Sequence, residues 1–183
     1  MISKGKAQRR RRRSLAKKTS AKTNAMRMLD AAGISYGMAE YEVDESDLSG
    51  VHAADELGVP AETVFKTLVA RGDGNELFVF IIPVAESLDL KKAASASGNK
   101  RIEMIHVKEL FDLTGYVRGG CSPIGMKKRY PTYIDETAQL YDEIYFSAGR
   151  RGAQILLPAD RLCEVTGAEY CDLISMHHAG SPV

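Results

Sequence analysis

A lysine at position 66 lies in the apolar segment Val64-Phe65-Lys66-Thr67-Leu68-Val69. Alternate side chains of a β-strand share a face, so a strand here places Lys66 beside Val64 and Leu68. Because burying an unpaired ammonium group is costly, such a lysine reaches water from an edge strand, forms a structural ion pair, or serves a ligand. The last alternative predicts a cation at the floor of a pocket, suited to a phosphate or a developing oxyanion.

A glycine-rich loop, G-G-C-S-P-I-G, spans residues 119–125. Its two leading glycines allow close approach of the backbone to a ligand, and Pro123 restricts Ser122 to extended conformations. The loop lacks both the G-x-S-x-G pattern of a nucleophile elbow and the closing G-K-[ST] of a phosphate loop. A ligand-binding loop and a plain turn are therefore both open.

Cys121, inside this loop, has the chemistry of a nucleophile. A cysteine nucleophile needs a base, and the candidate bases are His52 and His106, which the sequence does not place beside it. We therefore expect Cys121 to be a small buried residue that is dispensable for activity.

A turn with two cations, S-A-G-R-R-G, spans residues 147–152. Arginines flanked by glycines suit phosphate contacts, whereas the alternative is an exposed turn with solvated charges. His177 and His178 stand in a Gly/Ser/Pro tail with no further ligand at metal spacing, so no metal site is predicted.

The elements that must position these residues are indicated by apolar periodicity, caps and glycine stops. The pattern predicts helices at residues 24–32, 51–57, 88–96, 107–113 and 159–165, and strands at residues 36–41, 64–70, 77–84, 102–105, 132–134, 144–147 and 154–157. Residues 72–75, G-D-G-N, predict a hairpin between two strands that are apolar on both faces and hence central. The fold class is a single α/β (α+β) domain with a mostly β core.

Composition separates the chain into a basic arm and an acidic body. Among 183 residues there are 25 Lys plus Arg and 24 Asp plus Glu, and residues 1–22 hold ten of the bases and no acid. Residues 23–183 therefore carry 15 bases against 24 acids. We expect residues 1–22 to be a disordered arm, either a polyanion tether or a solvated tail, residues 23–175 to be the domain, and residues 176–183 to be a flexible tail.

The cysteine count and the apolar runs restrict the compartment. The three cysteines include no C-x-x-C pair, which favours neither a zinc site nor a complete disulfide framework. The longest apolar run, residues 77–84, is too short to cross a bilayer. We expect a cytoplasmic protein with no membrane association. The acid-free basic arm leaves a transit peptide open as an alternative.

Four motifs in this order, V-F-K-T-L-V, L-D-L-K-K-A-A, G-G-C-S-P-I-G-M-K-K and S-A-G-R-R-G, resemble the YbaK family from about Thr23 to Ile174. These bacterial Cys-tRNA(Pro) deacylases are related to the inserted editing domain of prolyl-tRNA synthetase. The resemblance implies a curved, barrel-like mixed sheet of about seven strands with surrounding helices. It also implies a substrate, cysteine mis-esterified to tRNA(Pro), no cofactor, and prolyl-tRNA synthetase as a partner.

The resemblance assigns roles to particular residues. Lys66 matches an essential lysine that engages the terminal adenosine or its phosphate, and Gly119 matches a glycine whose backbone faces the ribose and the ester. The substrate-binding residues that we expect in addition are Tyr41, Thr67, Gly120, Ser122, Pro123, Ser147, Gly149 and Arg150. Two positions depart from the family pattern: Gln154 stands where well-known members have Asp, and Ser49 stands where some have an aromatic residue.

The resemblance also implies a mechanism in which the cysteinyl thiol attacks its own ester, while the protein positions the reactants and stabilises the oxyanion. Two alternatives stay open: a non-catalytic tRNA-binding module, and a deacylase for another small amino acid such as alanine. The sequence does not predict the oligomeric state.

Overall fold

The computed structural model of the protein describes residues 21–175. The predicted tail at residues 176–183 and the predicted arm, except its last two residues, lie outside this range. The helices are α1 (Asn24–Ala31), α2 (Gly50–Leu57), α3 (Leu90–Ala96), α4 (Val107–Thr114) and α5 (Ala159–Thr166), with short 3-10 helices at Ala61–Thr63 and Glu136–Leu140. The strands are β1 (Gly37–Glu40), β2 (Phe65–Gly72), β3 (Leu77–Pro83), β4 (Ile102–Met104), β5 (Thr132–Asp135), β6 (Ile144–Ser147), β7 (Ala153–Leu157) and β8 (Glu169–Cys171).

Local capping explains where the helices begin. The hydroxyl of Thr23 accepts a hydrogen bond from the Met26 N–H at 3.2 Å, and the hydroxyl of Ser49 accepts one from the His52 N–H at 3.2 Å. Asp89 caps α3 in the same way through its carboxylate. These side chains satisfy backbone donors that the first helical turn leaves without partners. All five predicted helices are confirmed.

The predicted hairpin joins β2 to β3. The Asn75 N–H donates to the Gly72 carbonyl at 3.1 Å, and Asn75 adopts a positive φ of 70°, which an asparagine tolerates in a turn. The two strands pair antiparallel from Phe65–Pro83 to Arg71–Leu77. This register brings Lys66 opposite Ile82, close to the end of the hairpin remote from the turn.

The eight strands form two sheets. One has three strands in the antiparallel order β1-β7-β6, and the other has five strands in the mixed order β4-β2-β3-β5-β8. The seven predicted strands are all present, and β8 is an eighth that the sequence did not predict. It has three residues, too few for an alternation pattern to indicate it.

The barrel-like closure that the family resemblance implied is not confirmed. A barrel needs a continuous hydrogen-bonded ladder around its circumference. Within residues 21–175, the three-stranded and five-stranded sheets meet through one isolated parallel bridge, between Val64 and Tyr145, instead of a full ladder. Beyond that bridge, the edge of β2 that faces away from β3 has no strand partner until β4 joins it at Ala70.

Strand β3 is central, as predicted, because its two faces lie in different hydrophobic clusters. Val79 and Ile81 belong to the larger cluster, which includes Phe146 and Ile155 from the three-stranded sheet. The alternate residues of β3 pack in a second cluster against α3 and β4. None of the helices between residues 21 and 175 has the length and apolarity of a membrane span.

Candidate active site

A cavity of about 400 Å³ lies beside the strand edge of β2 that β4 leaves uncovered. Its volume falls within the range of about 300–1,000 Å³ that small-molecule sites occupy. The lining comes from β2, the loop between β1 and α2, the start of α4, the glycine-rich loop and the three-stranded sheet. The polar residues in the lining are Tyr41, Ser49, Lys66, Thr67, Arg118, Cys121, Ser147 and Gln154.

Lys66 is half-buried in the cavity wall. Its Nζ donates to the carbonyl oxygen of Val84 at 3.2 Å, and this is its only hydrogen bond to the part of the chain that is described. Burial lowers the pKa of Lys66 because desolvation disfavours the charged ammonium, while the charge of Glu86 opposes the shift. The structure excludes one of the alternatives that the sequence left open, a structural ion pair, since no carboxylate of residues 21–175 forms a salt bridge with Lys66.

Gly119 lies on the same cavity as Lys66. It adopts a φ of +80°, a left-handed conformation that strains any residue with a Cβ. Neither its N–H nor its carbonyl has a hydrogen-bond partner among residues 21–175. The loop therefore presents a backbone donor and acceptor next to the cavity.

The glycine-rich loop is held against the two-arginine turn. The Arg151 Nε donates to the Arg118 carbonyl at 2.9 Å, and its Nη1 pairs with Glu45 at 2.8 Å. A Cβ on Gly120 would stand 3.0 Å from the backbone of Arg150, so a side chain here would have to displace the turn by a few tenths of an ångström. Two motifs that are about thirty residues apart in the sequence thus pack against each other.

The arginines of the turn form ion pairs and are not simply solvated. Arg150 pairs with Glu40 on β1 at 2.6 Å, as Arg151 does with Glu45. Arg150 itself does not line the cavity.

Five of the ten predicted site residues line the cavity together, namely Tyr41, Lys66, Thr67, Gly119 and Ser147. The other five, Gly120, Ser122, Pro123, Gly149 and Arg150, lie outside its lining. Of these, Ser122 is fully buried and its hydroxyl accepts from the Ile124 N–H at 3.3 Å, and Pro123 lines a separate cavity of about 110 Å³. A Cβ on Gly149 would lie 2.8 Å from the Tyr116 ring, so this glycine permits packing of the turn.

Cys121 also lines the cavity, but its chemistry is that of a neutral thiol. Burial raises the pKa of Cys121 to about 12, an effect that the hydrogen bond with the Thr114 side chain opposes. A thiol with this pKa is protonated at neutral pH and is a poor nucleophile. Neither His52 nor His106, the two candidate bases, lines the cavity.

Two polar oxygens near the cavity have no partner. The Thr67 Oγ1 and the Gln154 Oε1 are buried without a hydrogen bond to any described residue. The lining also contains two cationic side chains, Lys66 and Arg118, and no carboxylate from residues 21–175. The sequence reading missed Arg118 as a lining residue, although its position immediately before the double glycine was a usable signal.

Residues 48–164 match the aminoacyl-tRNA editing domain family. A relative in Enterococcus faecalis (strain ATCC 700802 / V583), named "Putative Cys-tRNA(Pro)/Cys-tRNA(Cys) deacylase EbsC", is 47% identical over 157 residues, which cover 86% of this chain and 96% of the relative. The protein YwhH of Bacillus subtilis (strain 168) is 26% identical over 67% of this chain and 78% of its own length.

Solved structures agree with the sequence matches. A crystal structure described as "a putative trans-editing enzyme for prolyl tRNA synthetase" superposes with a TM-score of 0.74 at 27% identity, covering 86% of this chain and all of the other. The hypothetical protein APE2540 superposes with a TM-score of 0.76 at 22% identity, covering 84% of this chain and 100% of its own, which supports the shared fold. The chain belongs to the aminoacyl-tRNA editing domain family.

Proposed function

We propose that the protein is a trans-editing deacylase that removes cysteine mis-esterified to tRNA(Pro). The observation that carries the proposal is the convergence of the half-buried Lys66 ammonium and the unpaired backbone of Gly119 on one cavity. The 47% identity to a protein named as a deacylase of this type supports the choice of substrate.

The charge of the cavity suits an anionic ligand. Within the described residues its lining carries Lys66 and Arg118 and no carboxylate, whereas residues 23–183 together have an excess of acids. The terminal nucleotide of a charged tRNA brings a phosphate, and cleavage of its ester develops a negative oxygen. Cations held in a partly desolvated site stabilise such charges more strongly than cations in water do.

Lys66 supplies the principal charge. Its Nζ donates to one backbone carbonyl, so the ammonium keeps two further N–H donors for the substrate. Because burial disfavours the charged form, the ammonium is stabilised when an anion enters the cavity. Gly119 contributes its backbone N–H and carbonyl to the ribose and the ester.

The reacting nucleophile comes from the substrate. Cys121 is protonated, and among residues 21–175 the lining offers no histidine or carboxylate that could act as a general base. The thiol of the esterified cysteine loses its proton to water, and its sulfur attacks the ester carbonyl carbon. The bond from that carbon to the ribose oxygen then breaks, the ribose oxygen takes a proton from water, and the products are a cyclic thiolactone and free tRNA.

The protein therefore acts mainly by positioning. Holding the thiol and the carbonyl in attack geometry converts a rare encounter into a frequent one, and effective molarities for well-oriented reactions reach about 10⁵ M or more. A free thiol with a pKa of about 8.5 supplies enough thiolate at neutral pH for this route.

We assign recognition of the tRNA body to groups outside the acidic domain. Residues 23–183 carry 15 bases against 24 acids, a balance that disfavours binding to a polyanion. We assign tRNA selection to prolyl-tRNA synthetase, acting as a partner, and to the basic residues 1–22.

The proposal is tested with tRNA(Pro) esterified to cysteine, serine or alanine. Wild-type protein is expected to release cysteine with multiple turnovers and to leave serine and alanine esterified, because they have no thiol. Lys66→Ala is expected to lose the activity on the cysteinyl ester. Equal release of all three amino acids would indicate ordinary hydrolysis, and protection of the cysteinyl ester would indicate a binding module.

A further inference from the structure

Arg118 differs from the other arginines of the described chain in having a guanidinium without a protein partner. Residues 21–175 contain eight arginines. Seven of them donate a side-chain hydrogen bond or form an ion pair within that range, namely Arg27, Arg71, Arg101, Arg129, Arg150, Arg151 and Arg161. The Arg118 side chain forms neither with residues 21–175, and it is exposed and lies in the lining of the Lys66 cavity. Its five N–H donors are therefore available to a ligand of that cavity.

The backbone of Arg118 is held in place from two sides. Its carbonyl accepts a hydrogen bond from the Arg151 Nε at 2.9 Å, and Arg151 is itself paired with Glu45 at 2.8 Å. The Gly120 N–H donates to the Val117 carbonyl at 3.0 Å, which closes a turn that contains Arg118. The unpartnered guanidinium thus extends from a fixed point of the cavity lining.

The two arginines that the sequence singled out for phosphate contacts already have carboxylate partners. Arg150 pairs with Glu40 at 2.6 Å, and Arg151 pairs with Glu45. A phosphate that bound to either arginine would have to compete with that carboxylate. Arg118 has no such competitor, because no carboxylate of the described residues lines the cavity. Of these three arginines, Arg118 is the one best placed to bind an incoming anion.

We infer that Arg118 binds the phosphate that links the terminal adenosine of the tRNA to the preceding nucleotide, and that Lys66 acts on the ester. The inference rests on the proposed function, which supplies the substrate. The ester must enter the cavity, whereas the phosphate leads to the rest of the tRNA and must stay near solvent. Lys66 is half-buried and Arg118 is exposed, so the two cations match these two positions.

The chemistry of the two cations supports the same division. A guanidinium presents paired N–H donors in a planar fork that matches two phosphate oxygens. The phosphate carries its charge before and after the reaction, so a contact with Arg118 strengthens substrate binding without accelerating the chemical step. The negative charge on the ester develops only during the reaction, and a half-buried ammonium such as that of Lys66 stabilises it there.

The test compares two forms of Cys-tRNA(Pro). One is unmodified, and the other carries a neutral methylphosphonate in place of the phosphodiester before the terminal adenosine. We expect wild-type protein to have a KM about fivefold to fiftyfold higher for the methylphosphonate tRNA, the loss typical of a charge-assisted contact that is open to solvent, with kcat nearly unchanged. Arg118→Gln should raise the KM for unmodified tRNA by a similar factor and remove the difference between the two tRNAs.

Two further variants separate Arg118 from other cations. Arg101→Gln removes the same charge at an exposed position outside the cavity, and it should keep the wild-type preference for unmodified tRNA. Lys66→Met should lower kcat on both tRNAs by the same factor and also keep the preference. Arg118→Gln should melt at the wild-type temperature, because the Arg118 side chain makes no hydrogen bond to residues 21–175.

The outcomes distinguish this inference from the proposed function. If wild type leaves unmodified Cys-tRNA(Pro) esterified, the proposed function fails and the inference fails with it. If wild type cleaves both tRNAs with the same KM, or if Arg118→Gln keeps the preference, only the inference is overturned. Loss of the preference in Lys66→Met alone would assign the phosphate to Lys66. An equal loss of rate on both tRNAs together with a lower melting temperature in Arg118→Gln would assign Arg118 a structural role.

Discussion

Replacing Lys66 by methionine tests whether the charge of this residue is needed for activity while the stability of the fold stays nearly unchanged. Methionine keeps an unbranched apolar side chain against β2 and removes the ammonium. Within residues 21–175, the only hydrogen bond that the substitution removes is the one from Nζ to the Val84 carbonyl, at 3.2 Å. Such a bond contributes about 0.5–1.5 kcal/mol to the free energy of unfolding, and relief of the desolvation of the ammonium acts in the opposite direction. We therefore expect stability to change by less than about 1 kcal/mol, a shift of the melting temperature of only a few degrees.

The activity is expected to change far more than the stability. Removing one group that stabilises a developing oxyanion costs about a hundredfold to a thousandfold in rate. The assay is single-turnover release of cysteine from Cys-tRNA(Pro), measured beside thermal unfolding of the same protein. Lys91→Met, at an exposed position of helix α3 outside the cavity, is the control and should retain wild-type rates. A decrease in rate below about tenfold for a well-folded Lys66→Met protein would refute a role for the charge in the transition state.

The pH dependence of the stability difference gives a second check on the same variant. Burial lowers the pKa of Lys66, so the unfolded chain holds this proton more firmly than the folded protein does. The charged lysine therefore destabilises the fold at neutral pH, and this cost disappears as the pH rises through the folded pKa towards the unfolded value of 10.5. The stability of Lys66→Met relative to wild type should accordingly be greatest near neutral pH and decline towards pH 10.5.

Three further outcomes are expected. Gly120→Ala should lower deacylation while the chain stays folded, because its Cβ would lie 3.0 Å from the Arg150 backbone and displace the glycine-rich loop; unchanged rates would contradict this. Cys121→Ala should retain activity, and in native wild type the thiol should resist alkylation at neutral pH because its pKa is about 12; loss of turnover with normal tRNA affinity would contradict this. Deleting residues 1–22 should flatten the salt dependence of tRNA binding, by roughly 0.7–0.9 in the slope of log K against log salt for each phosphate that the arm neutralises, and an unchanged slope would exclude the arm from the interface.

Signals between residues that are close in the chain make the helices, the strands and the position of Lys66 in β2 predictable from the sequence. The alternation in β2 predicted that Lys66 shares an apolar surface, and G-D-G-N at residues 72–75 predicted the hairpin that fixes its register. The hydroxyls of Thr23 and Ser49 cap the helices that apolar periodicity predicted at residues 24–32 and 51–57. Each of these signals depends on residues that are close together in the chain.

The features that the sequence did not predict depend on contacts between distant residues. Within residues 21–175 the two sheets are joined by the single Val64–Tyr145 bridge, and local periodicity does not indicate that pairing. The contact between the glycine-rich loop and the two-arginine turn includes the Arg151 bond to the Arg118 carbonyl, which joins residues far apart in the chain. The sequence alone therefore did not show that Arg118 lines the cavity while Arg150 lies outside its lining. The family resemblance, rather than local physics, first indicated that these segments form one site.

The most direct measurement is deacylation of Cys-tRNA(Pro) supplied in large molar excess over the wild-type protein. The expected result is complete loss of the cysteinyl ester with recovery of tRNA(Pro) that can be charged again, since a cavity that positions the substrate releases its products and acts repeatedly. Loss that stops at one ester per protein molecule, or an ester that becomes longer-lived when the protein is present, would contradict a catalytic role for the Lys66 cavity.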